Sequence, residues 1–278
     1  MKYNSKAFAK LNLYLQVFKL NKGEDLHSIS SLFQEISLHD ILTIKVTKTQ
    51  NINYKITYSG FTVPTNTNNI IGKIFETLKP QLNHSYDIHI DKKIPLGSGM
   101  GGASSNGAMF IKAINTIEQK NWDYKTLIDI SKRFGSDIAF FLNGGTQEIS
   151  GFGNILTPKP ASIQRFFVII YPNIECSTKK IYQHFDTMIK EKADEINESN
   201  NSLLPVVLDY SKEMKTIFHI LTSEISYNVQ LTGSGSTFFI ETPSKKESAL
   251  LKQKLSTLFP AYYIQTTESI HKDHPLRQ

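Results

Sequence analysis

Cysteine is almost missing from this chain. Among 278 residues there is one, Cys176, so an intrachain disulfide, a CxxC redox pair and a cysteine-rich zinc site are all excluded. A reducing compartment is the plain inference. Long apolar runs are missing as well. Those present, such as Phe166 to Tyr171, are far too short to span a bilayer. Lysines interrupt the apolar N-terminus MKYNSKAFAKLNLYLQVFKL, which makes it a poor signal peptide. The expectation is a cytoplasmic protein with no membrane contact. The histidines show no HExxH or other metal-binding spacing, and the HRD and DFG triplets of protein kinases do not occur. Internal repeats are absent too.

Core material is plentiful. The chain is 40% apolar and carries 17 Phe and 12 Tyr, which excludes a collagen-like or wholly disordered protein. Its length fits two domains of ordinary size. The formal net charge is +6. Lysines spread along the chain read first as a solvated surface; attraction to an anionic partner is the alternative. No basic block interleaved with aromatics appears, so nucleic acid is not the expected partner. A small phosphorylated ligand suits the charge at least as well.

Alternation over 7–18 predicts a strand with Leu11, Leu13 and Leu15 on one face and Lys10 and Asn12 together on the other. Strands are also expected at 41–47, 52–58 and 86–91. Helical spacing of Ile70, Ile71, Ile74, Phe75 and Leu78 predicts a helix between Asn66 and Lys79, stopped by Pro80. A strand then runs into a glycine-rich loop and a helix carrying Ala108, Ile111, Ile114 and Ile117. A second helix is expected from Tyr124 to Phe134, ended by Gly135. GGTQEISGFGNILTP reads as a hairpin or loop pair, and Pro158 and Pro160 mark a boundary. Beyond it come a buried strand, RFFVIIYP, and a helix, KKIYQHFDTMIKEK. The polar stretch 191–202 reads as a mobile loop. Residues 203–226 read as two helical pieces split near Ser223. A strand, a glycine turn and a strand (NVQLTGSGSTFFIE), a helix and a final strand complete the chain. This mixed order predicts an α+β architecture in two halves, 1–160 and 161–278.

The strongest chemical signal is Pro95 to Ser105, PLGSGMGGASS. Gly97, Gly99, Gly101 and Gly102 let the backbone turn sharply and approach a ligand closely. The helix that follows points its N–H groups and partial positive charge back at the loop. Ser98, Ser104 and Ser105 add hydroxyls. In chemical terms this is a phosphate cradle, although a flexible loop with a serine-capped helix would have the same composition. It lacks the GK[ST] ending of a Walker loop. Gly97, Gly99 and Gly102 satisfy GxGxxG, but the helix leads through Asn121, Trp122 and Asp123 into another helix, not into the second strand of a dinucleotide fold. Taken singly, the remaining signals have bland readings. LTGSGST at 231–237 is a hairpin turn, Asp137 a cap for the next turn, Lys10 an edge lysine and His27 a capping or surface histidine.

Read in order, AKLNLYL at 9–15, LHSISSLFQ at 26–34, DKKIPLGSGMGGASSN at 91–106, FGSDIAFFLNGG at 134–145 and LTGSGSTFFI at 231–240 closely resemble the GHMP kinase superfamily. The likeness extends over essentially the whole chain, including HPL at 274–276. It implies the two-domain GHMP fold: a nucleotide-binding N-terminal half resembling domain 2 of ribosomal protein S5, and a ferredoxin-like C-terminal half. ATP would be the co-substrate and Mg2+ would accompany it. The phosphates would be wrapped by Pro95, Leu96, Gly97, Ser98, Gly99, Met100, Gly101, Gly102, Ala103, Ser104 and Ser105, with adenine near Asn69 and Ile70. Asp137 matches the catalytic aspartate and Lys10 its partner. Within the superfamily the likeness points to members whose acceptor is the tertiary hydroxyl of a cytidine diphosphate ester of methylerythritol. Asn12, His27 and Tyr182 match positions contacting its cytidyl end. Leu26 stands where those members carry a tyrosine, which weakens the expected ring stacking. Ala139 replaces a common proline, with little effect expected. Rivals are another GHMP small-molecule kinase, acting on homoserine, mevalonate or a sugar, and a nucleotide- or nucleic-acid-binding protein without catalysis.

Overall fold

The computed structural model describes every residue except 21, 22, 24, 161, 162, 191–195, 197, 198, 272, 273 and 278. Two sheets organise the chain. The first has six strands: β1 (Lys2–Val17), β2 (Ile29–Lys48), β3 (Tyr54–Gly60), β4 (His84–Lys92), β5 (Thr146–Ser150) and β6 (Ile155–Pro158). β2 is its spine. It pairs antiparallel with β1 along nearly its whole length, with β5 through 31–34 and with β4 through 41–48. β3 lies parallel to β4, and β5 and β6 form the expected hairpin.

Four helices cover this sheet: α1 (Ile70–Leu78), α2 (Gly102–Ile117), α3 (Tyr124–Lys132) and α4 (Ser136–Asn143). Asn69 starts α1 by accepting the Ile71 N–H, and Asp123 starts α3 by accepting that of Thr126. Ile111 and Ile114 of α2, Ile71 and Phe75 of α1 and Phe140 and Phe141 of α4 share one core with Ile44, Ile88 and Ile90 of the sheet. Each such fully buried side chain contributes about 1.5–3 kcal/mol of transfer free energy.

The second sheet has the order β10 (Tyr263–Glu268), β7 (Phe166–Tyr171), β9 (Phe238–Thr242), β8 (Val229–Leu231). All three pairings are antiparallel. Helices α5 (Thr178–Met188), α6 (Leu203–Tyr210), α7 (Lys212–Glu224) and α8 (Lys245–Leu258) pack on it. Strand, helices, two strands, helix, strand along the chain, with the strands laid out in that sheet order, is the ferredoxin-like split βαβ arrangement. The α+β expectation is therefore met, with one sheet of each kind. A third core joins the sheets: Ala9, Leu11, Ile36, Ile94 and Met100 meet Phe167, Ile169 and Phe239. The far end of β1 goes further still, burying Leu15 and Val17 in the core of the second sheet.

The sequence reading missed several features. β2 starts twelve residues before the expected 41, because Ser30, Ser31, Gln34 and Glu35 broke the apolar pattern; Ser31, Gln34 and Glu35 are nevertheless buried. Asp137 is not a cap but the second residue of a helix, α4. The break between α6 and α7 falls at Ser211, whose hydroxyl accepts the Met214 N–H, and not near Ser223, whose hydroxyl donates to Ile220 inside α7. Most of the stretch 191–202 lies outside the described residues. Its end is pinned: Asn201 is buried, bridges to Leu15 and donates to the Leu231 and Gly233 carbonyls.

Candidate active site

β1 carries Lys10 and Asn12 on the face opposite Leu11. That face is roofed by two loops, so neither side chain reaches bulk water; both are 3% exposed. The Lys10 ammonium donates to the Asn12 side-chain carbonyl at 2.5 Å and lies over the Phe33 ring, 4.7 Å from its centre. Burial lowers the Lys10 pKa, and the negative charge of Asp137 acts against that fall. Asn12 is held on every side. Its backbone N–H and the Thr232 hydroxyl meet at 3.0 Å, its carbonyl also accepts from that hydroxyl, and its amide donates to Ser31.

The two glycine loops interlock above this pair. The Lys10 N–H donates to the Met100 carbonyl at 3.0 Å, which ties the first loop to β1. The Thr237 N–H donates to the Ser98 carbonyl at 3.3 Å, and the Thr232 hydroxyl approaches the Gly99 carbonyl at 3.4 Å. Gly99 has φ +75°, and a Cβ there would run into the Thr232 carbonyl. Gly102 opens α2 where a Cβ would lie 2.8 Å from both Lys92 Nζ and Ile94 Cγ2. The first helical turn therefore sits close over the sheet, with its free N–H groups toward the opening.

A cleft of about 890 Å3 lies between the two halves. Pro95, Leu96, Gly97, Ser98, Gly99, Gly101, Gly102, Ala103 and Ser104 form one wall, and Lys10, Asn12 and Asp137 lie within it. Leu26, His27 and Tyr182 line it as well. Two residues of the expected cradle are not on the wall. The Met100 side chain is fully buried in the joining core, and Ser105 is buried with its hydroxyl lacking a partner. Asn69 and Ile70 do not line the cleft; both polar groups of the Asn69 side chain are engaged at the start of α1.

His27 is anchored rather than loose. One ring nitrogen meets the Phe18 carbonyl at 2.9 Å and the other faces Asp186 at 3.4 Å. Its ring packs on Tyr182 and edge-on to Phe185, both with centres 5.3 Å away. Burial, with the charge of Asp137 second, pushes the Tyr182 hydroxyl up to about 12. Leu26 is 63% exposed at the mouth. The second glycine turn does more than join two strands. Thr232 holds Asn12, Gly233, Ser234 and Gly235 line the cleft, and the Thr178 and Ser234 hydroxyls pair at 2.9 Å across it. Its signal was the repeat of Gly-Ser-Gly chemistry at a second strand end.

What the arrangement can do follows from these parts. An anion-binding helix start and glycine loop suit a polyphosphate. A buried cation and a carboxylate beside them suit transfer of one phosphoryl group to a hydroxyl. Among the described residues no group of three or more His, Cys, Asp or Glu could hold a metal ion, and no helix is long and apolar enough to cross a membrane.

Comparison with known proteins gives the following. Residues 69–145 match the family model for the GHMP kinases N terminal domain, and residues 179–261 that for the GHMP kinases C terminal domain. The 4-diphosphocytidyl-2-C-methyl-D-erythritol kinase of Buchnera aphidicola subsp. Schizaphis graminum is 33% identical over 91% of this chain and 87% of its own length. The enzyme of the same name from Lachnoclostridium phytofermentans is 31% identical over 84% and 86%. Among solved structures, a 4-(cytidine 5'-diphospho)-2C-methyl-D-erythritol kinase superposes with a TM-score of 0.74 at 23% identity, covering 95% of this chain and 99% of that one. L. major mevalonate kinase superposes with a TM-score of 0.72 at 14% identity, covering 96% of each chain.

Proposed function

The chain belongs to the GHMP kinases, and from that premise we propose that it transfers the γ-phosphoryl group of ATP to the 2-hydroxyl of 4-diphosphocytidyl-2-C-methyl-D-erythritol, a step in isoprenoid precursor synthesis. The observation that carries the reading is that Lys10, Asp137, the glycine loop, His27 and Tyr182 all line one cleft. A phosphate seat, a base and a nucleoside-sized recess are what such a substrate pair needs. The reading also divides the chain at 160–161 into an ATP-side and a substrate-side half. It is supported by the strands, since the six-stranded sheet ends at Pro158 and the four-stranded sheet begins at Phe166.

The loop 95–104 and the first turn of α2 hold the triphosphate through backbone N–H groups. The acceptor hydroxyl lies against Asp137, in the first turn of α4, where the helix N-terminus favours a carboxylate. As the oxygen bonds to phosphorus, its proton passes to the Asp137 carboxylate and the bond to the β-phosphate oxygen breaks, releasing ADP. Lys10 offsets the charge that gathers on the transferring group. Its amide and ring partners leave that charge undiminished. Asn12 fixes the lysine, and His27 and Tyr182 receive the cytidyl end.

Magnesium fits this site as an ion carried mainly by the phosphates. No carboxylate cluster competes for it among the described residues, while Ser104 on the cleft wall and the unpartnered Ser105 hydroxyl are oxygen donors of the right kind. When bound, it supplies neutralisation of the β- and γ-phosphate charge.

The direct test is ADP release with ATP, magnesium and the cytidyl substrate, with mevalonate and homoserine as controls. Turnover is expected only with the cytidyl substrate; turnover with a control alone would replace the reading. Asp137→Asn should retain ATP binding and lose about two to four orders of magnitude in kcat. An unchanged kcat removes the base.

A further inference from the structure

The turn between β5 and β6 presents one residue, Phe152, to the cleft. Phe152 lines the opening and is 44% exposed. The turn is built, not slack. The Phe152 N–H donates to the Asn154 side-chain carbonyl at 3.0 Å, and the Ile29 N–H donates to the Gly151 carbonyl at 2.7 Å. Gly151 and Gly153 on either side have φ of +63° and +84°, which other residues rarely adopt. A Cβ on Gly153 would already lie 3.3 Å from Ser136 and 3.8 Å from Ile29. The turn is therefore wedged between the residue before Asp137 and the residue two after His27.

Other rings on the cleft wall are engaged. Phe33 lies under the Lys10 ammonium, and Tyr182 packs on His27. Phe152 takes part in no ring or cation contact among the described residues. Leu26, exposed at the same mouth, and Leu15 and Ile29, which line the same cleft, offer only aliphatic surface. A rigidly mounted, half-exposed aromatic ring at the rim of an apolar recess is suited to one kind of contact, the face of a flat ligand ring.

We propose that Phe152 packs on the nucleobase of the cytidyl substrate and sets the affinity for that end of the molecule. This rests on the function proposed above. The turn is tied to Ile29, two residues after His27, and closes the recess that His27 and Tyr182 line, while the triphosphate of ATP takes the glycine loop. Phe152 is thus a specificity contact, with no part in the chemical step.

The test is calorimetric titration of CDP into the wild type, Phe152→Ala and Phe152→Tyr, with steady-state KM for both substrates. Phe152→Ala is expected to weaken CDP binding and raise KM for the cytidyl substrate about tenfold, with the ATP KM within twofold of wild type. Phe152→Tyr keeps the ring and should retain both values. Equal CDP affinity in wild type and Phe152→Ala overturns this assignment and leaves the kinase reading standing. So does a parallel rise in the ATP KM, which would move the ring to the other nucleotide. A wild type that neither binds CDP nor turns over the cytidyl substrate overturns both.

Discussion

Lys10 and Lys92 are both nearly without solvent contact, at 3% and 2% exposure, and burial lowers the pKa of both. Their partners differ. The Lys92 ammonium lies 2.5 Å from the Asp40 carboxylate, whose other oxygen accepts the N–H groups of Lys93 and Ile94. That carboxylate is itself buried, so charge cancels charge and the exit of β4 into the glycine loop is clamped. Lys10 has a neutral amide at 2.5 Å, an aromatic face, and Asp137 acting on it through its field. One lysine is spent on the fold. The other has no carboxylate in contact and lines a cleft, where its ammonium would meet an incoming phosphate. A buried cation without a close carboxylate is costly to hold; the proposed reaction gives this one a use.

Substituting each lysine by methionine should separate these roles, and the largest effect is on rate. Lys10→Met is expected to lower kcat by about two to three orders of magnitude through lost charge stabilisation, with thermal stability changed little, because the cation it removes is a burden on the fold. Lys92→Met should do the reverse. It strands the buried Asp40 carboxylate, at a cost of about 3–5 kcal/mol, visible as a large fall in melting temperature, while kcat per folded molecule drops far less. If both variants lose stability alike and keep kcat, the contrast is wrong.

The sequence carried one half of this contrast. Alternation along β1 put Lys10 and Asn12 on one face, away from Leu11 and Leu15, and ordered motifs tied Lys10 to Asp137. Burial of that face was not legible, because a period of two says which residues share a side and nothing about what covers it. The cover comes from two loops, one about ninety positions away at Met100 and Gly101 and one more than two hundred away at Thr232 and Gly233. The Lys92–Asp40 pair went unnoticed for the same reason. Its members stand on β4 and β2, fifty-two residues apart, and nothing in either segment reveals that their register brings them together. Helices α1, α2 and α3 were legible from apolar spacing and caps. The first half of β2 was not, since Ser31, Gln34 and Glu35 are buried polar groups satisfied by tertiary partners, and polarity in a sequence reads as exposure. Phe152 was passed over inside a predicted hairpin, where an aromatic carries no signal until the cleft beside it is visible.

The smallest effect, and the sharpest on the comparison, is in pH. In the proposed mechanism Lys10 acts only while protonated, and burial lowers its pKa below the ordinary 10.5. The alkaline limb of kcat/KM should therefore fall below the range of an exposed lysine. Stability runs the other way. Between the folded and unfolded pKa the unfolded chain binds the extra proton, so Lys10 makes the fold more stable as pH rises through that window. Asn12→Asp puts a carboxylate where the neutral amide now stands and so gives Lys10 the kind of partner Lys92 has. The expected result is an alkaline limb moved upward and a kcat at saturating substrate reduced about tenfold, since 1.36 kcal/mol of lost transition-state stabilisation suffices. The two changes must appear together: a limb that stays in place in Asn12→Asp would mean that the titrating group is not Lys10, and a limb that rises without loss of rate would mean that its free charge is not what the reaction uses.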